Sequence, residues 1–263
     1  LCDVFVMDAF GTSHRKHAST YGISKYVPSC IGFLVEKELT CLDKFVINGK
    51  RPLTIVMGGA KIEDKIGLIE KFLDKCDYLL LTGGIANTFL KVLNINIGAS
   101  LCSKNPEILE KVKNMLLNYR NKIMLPLDVI VANTYDENYV KYKRLNELDE
   151  NDIILDCGNK TIEKYKTAID ESETVFVNGT MGKYEDIRFA NGTKEFLRML
   201  SLSNKILVAG GGDSVSAINN FGYSNAFTYL SSGGGATLEY LTTNKLPGLE
   251  GIDEDDEVEV LDM

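Results

Sequence analysis

Seven short apolar runs punctuate this chain, and none shows strict alternation of apolar and polar residues. They are Val4–Met7, Leu53–Met57, Tyr78–Leu81, Ile123–Val131, Val175–Val177, Ile206–Val208 and Phe227–Leu230. A strand with one wet face alternates, whereas a strand covered on both faces reads as a continuous apolar run. Helical patterns fill the intervals: Phe33–Phe45, Lys61–Phe72, Ala86–Leu93, Pro106–Leu117, Thr161–Ile169, Thr193–Leu200, Ser214–Asn220 and Ala236–Leu241. Strand, helix and strand in series predict an α/β chain, a three-layer α/β/α sandwich on a mainly parallel, Rossmann-like sheet. Ligands in such sheets lie beyond the carboxyl ends of the strands.

Three of the runs end in glycine. Gly58-Gly59-Ala60-Lys61 follows the second, with Lys65 four residues on; Gly210-Gly211-Gly212-Asp213 follows the sixth; Gly233-Gly234-Gly235 follows the seventh. Glycine lets a backbone approach a ligand closely, and a helix N-terminus offers unpaired N–H groups that suit phosphate. One such turn is explained by packing alone. Three at neighbouring strand ends suit an extended polyphosphate, and two lysines and an aspartate supply the charges that a nucleotide and its magnesium need.

Composition narrows the partners. With 263 residues, 44% hydrophobic and 25% charged, the chain can bury a sizeable core. Its net charge of −8 and the absence of a long Lys/Arg block exclude a nucleic-acid partner. No apolar run is long enough for a membrane span, and a cytoplasmic protein is expected. The six cysteines form no CxxC pair and His14 and His17 are the only histidines, so reduced thiols are expected and a zinc cluster is not. No internal repeat is evident, and the polar stretch Tyr135–Asp152 reads as a surface excursion. The chain opens on Leu1 in a strand-like run, which suggests a fragment lacking a preceding part.

The series DAFGTSHRKHAS, GGAKIEDKIGLI, LTGGIANTFLK, LPLDVIVA, LDCGNKTIEKY, VNGTMGKYEDIRFANGTKE, GGGDSVSA and SSGGGATLEYL, in that order, resembles the phosphoglycerate kinase family from about Val4 to Pro247. The resemblance implies phosphoryl transfer between ATP and 3-phosphoglycerate, giving ADP and 1,3-bisphosphoglycerate, by a monomer that uses Mg2+ and needs no covalent enzyme intermediate. It implies four regions: residues 1–31 as the remnant of an N-terminal substrate domain, 32–49 as an interdomain helix and linker ending near Asn48-Gly49, 50–247 as the nucleotide-binding domain, and 248–263 as an acidic tail. A chain holding the nucleotide lobe without most of the substrate domain is expected to bind nucleotide with little turnover of its own.

Residue roles follow the motif matches. Lys61 and Lys65, spaced to share one helix face, are implied on the phosphates, with the backbones of Gly59 and Ala60 beside them. Asp213 matches the aspartate serving the magnesium nucleotide and could also cap a helix; Ser214 keeps the hydroxyl of the family's threonine. Gly211, Gly212, Gly233, Gly234 and Gly235 are implied as N–H donors to phosphate, with Gly212 and Gly235 counted in the catalytic set together with Arg15, Lys61 and Lys65. Asn178 is implied near the phosphates, Glu185 on the ribose, and Gly83, Gly84 and Leu155 along the adenine slot. Arg15 matches the arginine brought to the acceptor and the transferred group, where a planar guanidinium suits carboxylate or phosphate.

The chain departs from the family pattern at several places. Asn178-Gly179-Thr180 stands where the family has Asn-Gly-Pro, losing a rigid turn, and Thr82-Gly83-Gly84 stands where it has a glycine triplet, adding a Cβ that would tighten the pocket. Val177 replaces a tryptophan and Asn159 a proline. Two other readings therefore stay open: a degenerate relative that binds nucleotide without transfer, and a nicotinamide-dependent oxidoreductase, against which the missing GxGxxG speaks.

Overall fold

Leu53–Met57 is buried at all five positions, and the main sheet is built around it. The computed structural model describes residues 2–60, 62–63, 65–133, 136 and 138–252. The chain begins with β1 (Phe5–Met7), β2 (Ser29–Ile31), α1 (Phe33–Leu42) and β3 (Leu53–Met57). It continues through α2 (Ile66–Lys75), β4 (Tyr78–Leu81), α3 (Gly83–Val92), α4 (Pro106–Tyr119) and β5 (Ile123–Met124). Next come β6 (Asp128–Asn133), β7 (Lys141–Arg144), β8 (Asp152–Cys157), α5 (Asn159–Glu171) and β9 (Thr174–Asn178). The last elements are α6 (Asn191–Ser201), β10 (Ile206–Ala209), α7 (Gly212–Asn220), β11 (Tyr229–Leu230) and α8 (Gly235–Thr243).

The main sheet has six strands in the order β11-β10-β9-β3-β4-β5, every pair parallel. Numbered within the sheet, this is 3-2-1-4-5-6 read from the other edge, the Rossmann-type order, and its direction reverses between β3 and β9. Successive residues of each strand face opposite layers. Ile55, Met57, Leu79, Leu81 and Val208 pack with α1, α2, α3, α4 and α8. Val56, Leu80, Val175, Val177 and Leu207 pack with α5, α6 and α7. Both layers are apolar, which is why the strand sequences show no alternation. The expected three-layer sandwich is what forms.

Several boundaries differ from expectation. The run Ile123–Val131 is two strands: β5 ends the parallel sheet at Met124, and β6 opens a separate antiparallel sheet, β7-β6-β8. Pro126 lies between them, and proline carries no N–H for a ladder. The polar excursion contains β7, whose residues are mostly exposed, so its polarity marks a wet strand rather than a loop. Tyr135 lies outside the described residues. The run Val4–Met7 joins no part of the main sheet; β1 pairs in parallel with β2. The helix expected over Lys61–Phe72 starts at Ile66. The acidic tail beyond Ile252 lies outside the described residues. Cys76 and Cys157 are buried, and burial pushes the Cys76 thiol up to about 12, the behaviour of a small hydrophobe.

Candidate nucleotide site

The two central strands, β3 and β9, deliver Gly58 and Asn178 to the point where the strand order reverses. Their ends are joined by Gly58 N, which donates to Asn178 O at 2.9 Å. Lys65 Nζ donates to Gly58 O and to Asn178 Oδ1, both at 2.8 Å, and so lies across the reversal point. Lys65 precedes α2 with φ −120° and ψ −8°, so its own backbone lies ahead of that helix. From ahead of the helix its side chain reaches back over the glycine turn, where a Cβ on Gly59 (φ +137°) would stand 3.4 Å from Nζ. Lys61 lies outside the described residues.

Asn178 is buried, and its amide works in both directions: Nδ2 donates to Gly210 O at 2.8 Å while Oδ1 accepts from Lys65. This ties the end of β9 to the end of β10. Gly211 turns there with φ +93°, and a Cβ on it would stand 2.6 Å from Asn178 Nδ2, so only glycine fits. Gly211 is the cap of α7; Gly212 and Asp213 open the helix, with the Asp213 carboxylate exposed in the first turn. Ser214 is buried and accepts from Gly179 N at 2.5 Å.

At the end of β11, Ser231 and Thr237 hydroxyls meet at 2.5 Å and close the glycine turn from below. Gly233 is buried against the Phe10 ring, Gly234 has φ +53° with open space around it, and α8 begins at Gly235. His14 Nε2 stands 3.1 Å from where a Gly235 Cβ would be, and it accepts from Arg15 Nε at 3.3 Å. Burial and the Arg15 charge hold His14 below its ordinary value, so the cation on this rim at neutral pH is Arg15.

One cleft of about 220 Å3 is lined by Lys65, Asn178, Gly179, Gly211, Gly212, Asp213, Ser214, Gly234, Gly235 and Leu238. The N-termini of α7 and α8 open into it, Lys65 brings a cation, and Asp213 is the one carboxylate among its lining residues. Gly59 and Ala60 adjoin it and pack on Gly83 and Gly84, where a Cβ on Gly84 would stand 2.1 Å from Ala60 O. Leu155 is half-buried and Glu185 exposed; neither lines the cleft, although Leu155 O accepts from Lys183 N at 2.8 Å beside Glu185. Gly179 was not expected as a site residue, yet it lines the cleft and its backbone lies close against Gly58: a Cβ on Gly179 would stand 2.4 Å from Gly58 Cα. The signal was the glycine next to Asn178 in its motif. A larger cavity, about 560 Å3 between α5 and α6, contains none of the expected residues.

Beside the Leu155 strand, Asp156 accepts from Gly192 N at 2.7 Å, at the start of α6, and from Cys157 N at 2.9 Å. Burial outweighs these bonds and pushes its carboxyl from 3.8 up to about 7. Between those two values the folded chain keeps a proton that the unfolded chain has lost, so stability falls as pH rises through that window. From pH 5 to 7 the loss through this group is about 2 kcal/mol. Urea unfolding across that range should show the slope in the native chain and a smaller one in Asp156→Asn; equal slopes would remove the assignment.

Three comparisons bear on this geometry. A family model described as phosphoglycerate kinase matches residues 1–244. Curated relatives with that description include one from Finegoldia magna, 43% identical over 258 residues covering 97% of this chain and 65% of its own length, and one from Fusobacterium nucleatum, 42% identical, covering 96% and 64%. The solved phosphoglycerate kinase of Coxiella burnetii superposes with a TM-score of 0.87 at 37% identity, covering 96% of this chain and 66% of that one. That of Pyrococcus horikoshii gives 0.82 at 30%, covering 95% and 64%. The chain thus spans about 65% of the length of the curated relatives it matches.

Proposed function

The chain belongs to the phosphoglycerate kinase family, and on that footing we propose that it carries the nucleotide half of reversible phosphoryl transfer between ATP and 3-phosphoglycerate. The observation that carries the reading is the cleft at the reversal point, where Lys65, Asn178 and the starts of α7 and α8 converge. A polyphosphate laid along it would meet the N–H groups of Gly212 and Gly235 and the Lys65 ammonium. In phosphoryl transfer, charge spreads over the equatorial oxygens, and fixed donors aimed at them stabilise it without reorganising. Arg15, whose Nε donates to His14 beside Gly235, is read as lying on the acceptor side of that line, where its guanidinium would meet the acceptor's carboxylate or phosphate.

Magnesium fits as a passenger on the nucleotide. Among the described residues no three His, Cys, Asp or Glu side chains gather as a metal cage. A single exposed carboxylate, Asp213, suits an ion that takes its remaining oxygens from phosphate and water. When bound, the ion neutralises phosphate charge. We read residues 50–247 as the nucleotide-binding domain, residues 32–49 as the hinge and residues 1–31 as part of the substrate domain, working as a cytoplasmic monomer on small molecules. The main-sheet strands all fall between residues 53 and 230, which supports the first boundary. No described helix is long and apolar enough to cross a membrane.

Calorimetric titration with Mg-ADP, with NAD in parallel, tests the reading. Micromolar to millimolar binding of Mg-ADP, none of NAD, and loss on Asp213→Ala are expected. NAD binding, or no Mg-ADP binding by a folded chain, would overturn it.

A further inference from the structure

Thr82 sits at the cap position of α3 with an extended backbone, φ −138° and ψ 168°, and its side chain makes no capping bond. A threonine there ordinarily accepts from the first turn of its own helix. Here the fully buried hydroxyl instead donates to Thr180 O at 2.8 Å. That bond links the end of β4 to the turn after β9, passing over β3, which separates them in the sheet. Gly58 lies beneath it: a Cβ there would stand 2.5 Å from Thr82 Oγ1 and 2.6 Å from Thr180 O. The turn is tied a second time by Thr180 Oγ1, which donates to Gly182 O at 2.8 Å. The two threonines that stand where the family pattern has glycine and proline are therefore bonded to each other.

We propose that Thr82 is a positioning residue for the nucleotide cleft, its hydroxyl holding the turn after Asn178 so that the Asn178 amide stays aligned with Lys65. The inference rests on the nucleotide reading above. The turn begins at Gly179, with a positive φ of 132°, and continues into Thr180 in place of a proline; a hydrogen bond from the end of β4 supplies the constraint from outside. Thr82→Val keeps the shape and removes the donor; Thr82→Ser keeps the donor.

Both variants are titrated with Mg-ADP as full chains, and amide exchange over residues 178–182 is followed without nucleotide. Thr82→Val should bind about tenfold more weakly and Thr82→Ser within about twofold of the native chain. In an Asn178→Ala background the Thr82→Val penalty should shrink below about twofold, because the residue acts through that amide. Exchange over 178–182 should quicken in Thr82→Val and not in Thr82→Ser. Unchanged affinity in Thr82→Val, equal weakening in both variants, or a full penalty persisting without Asn178 overturns the proposal. A native chain that binds no Mg-ADP overturns the nucleotide reading instead, and the exchange comparison then decides alone whether the hydroxyl holds the turn.

Discussion

Gly179→Ala is expected to destabilise the chain by about 3–5 kcal/mol, summing backbone strain and forced overlap. Gly179 has φ +132°, a region closed to side chains, and its Cβ would stand 2.4 Å from both the nitrogen and the Cα of Gly58. Both obstacles are backbone atoms of Gly58 at the end of β3, so no side chain can swing away. Relief requires parting β9 from β3, which also breaks the Gly58 to Asn178 bond. Gly67→Ala is the contrast: it lies in α2, is exposed, and nothing stands within 4 Å of the added carbon. There alanine should stabilise by about 0.5–1 kcal/mol through helix propensity. Urea midpoints of the two variants should move in opposite directions; a Gly179→Ala chain with a native midpoint would mean that the strand ends are not packed as described.

Lys65→Met is expected to weaken Mg-ADP binding about 100-fold, the scale of a lost charge-assisted contact. The ammonium is already held by Gly58 O and Asn178 Oδ1, so little side-chain freedom remains to be lost when phosphate arrives. Methionine fills similar volume and keeps the apolar stem, which isolates the charge. Calorimetry at two salt concentrations checks the result: the native affinity should fall with salt more steeply than the variant's. Equal affinities would remove Lys65 from the phosphate-binding group.

The sheet was legible because its strands are covered on both faces. Runs such as Leu53–Met57 and Tyr78–Leu81 have no polar interruptions long enough to confuse them with amphipathic segments. The antiparallel sheet was not legible in the same way. β7 is wet and reads as loop, and β6 follows β5 so closely that the two merged into one run. The site was legible as three glycine turns, and the residues after Gly210 and Gly233 do open helices. At Lys65 the sequence placed the residue inside a helix, whereas it sits just ahead of α2, which begins at Ile66. Sequence reading also failed at Thr82 and Thr180: two isolated substitutions carry no sign that they meet, because their contact is 98 residues long in chain separation.

The partnership of β3 with β9 sets a timetable for the chain's birth. As the polypeptide emerges from a ribosome, β3 and β4 can pair at once, but β3 must wait as an open edge while the whole antiparallel excursion is made. Local pairs form early and distant ones late. Lys65 is therefore synthesised soon after its partner Gly58 but long before its other partner, Asn178, and the helix starts at Gly212 and Gly235 come later still. A nascent chain halted before Gly235 would have its six strands but lack α8, leaving one apolar sheet layer partly uncovered and the cleft incomplete, so a nucleotide could reward the fold only once the chain has passed α8.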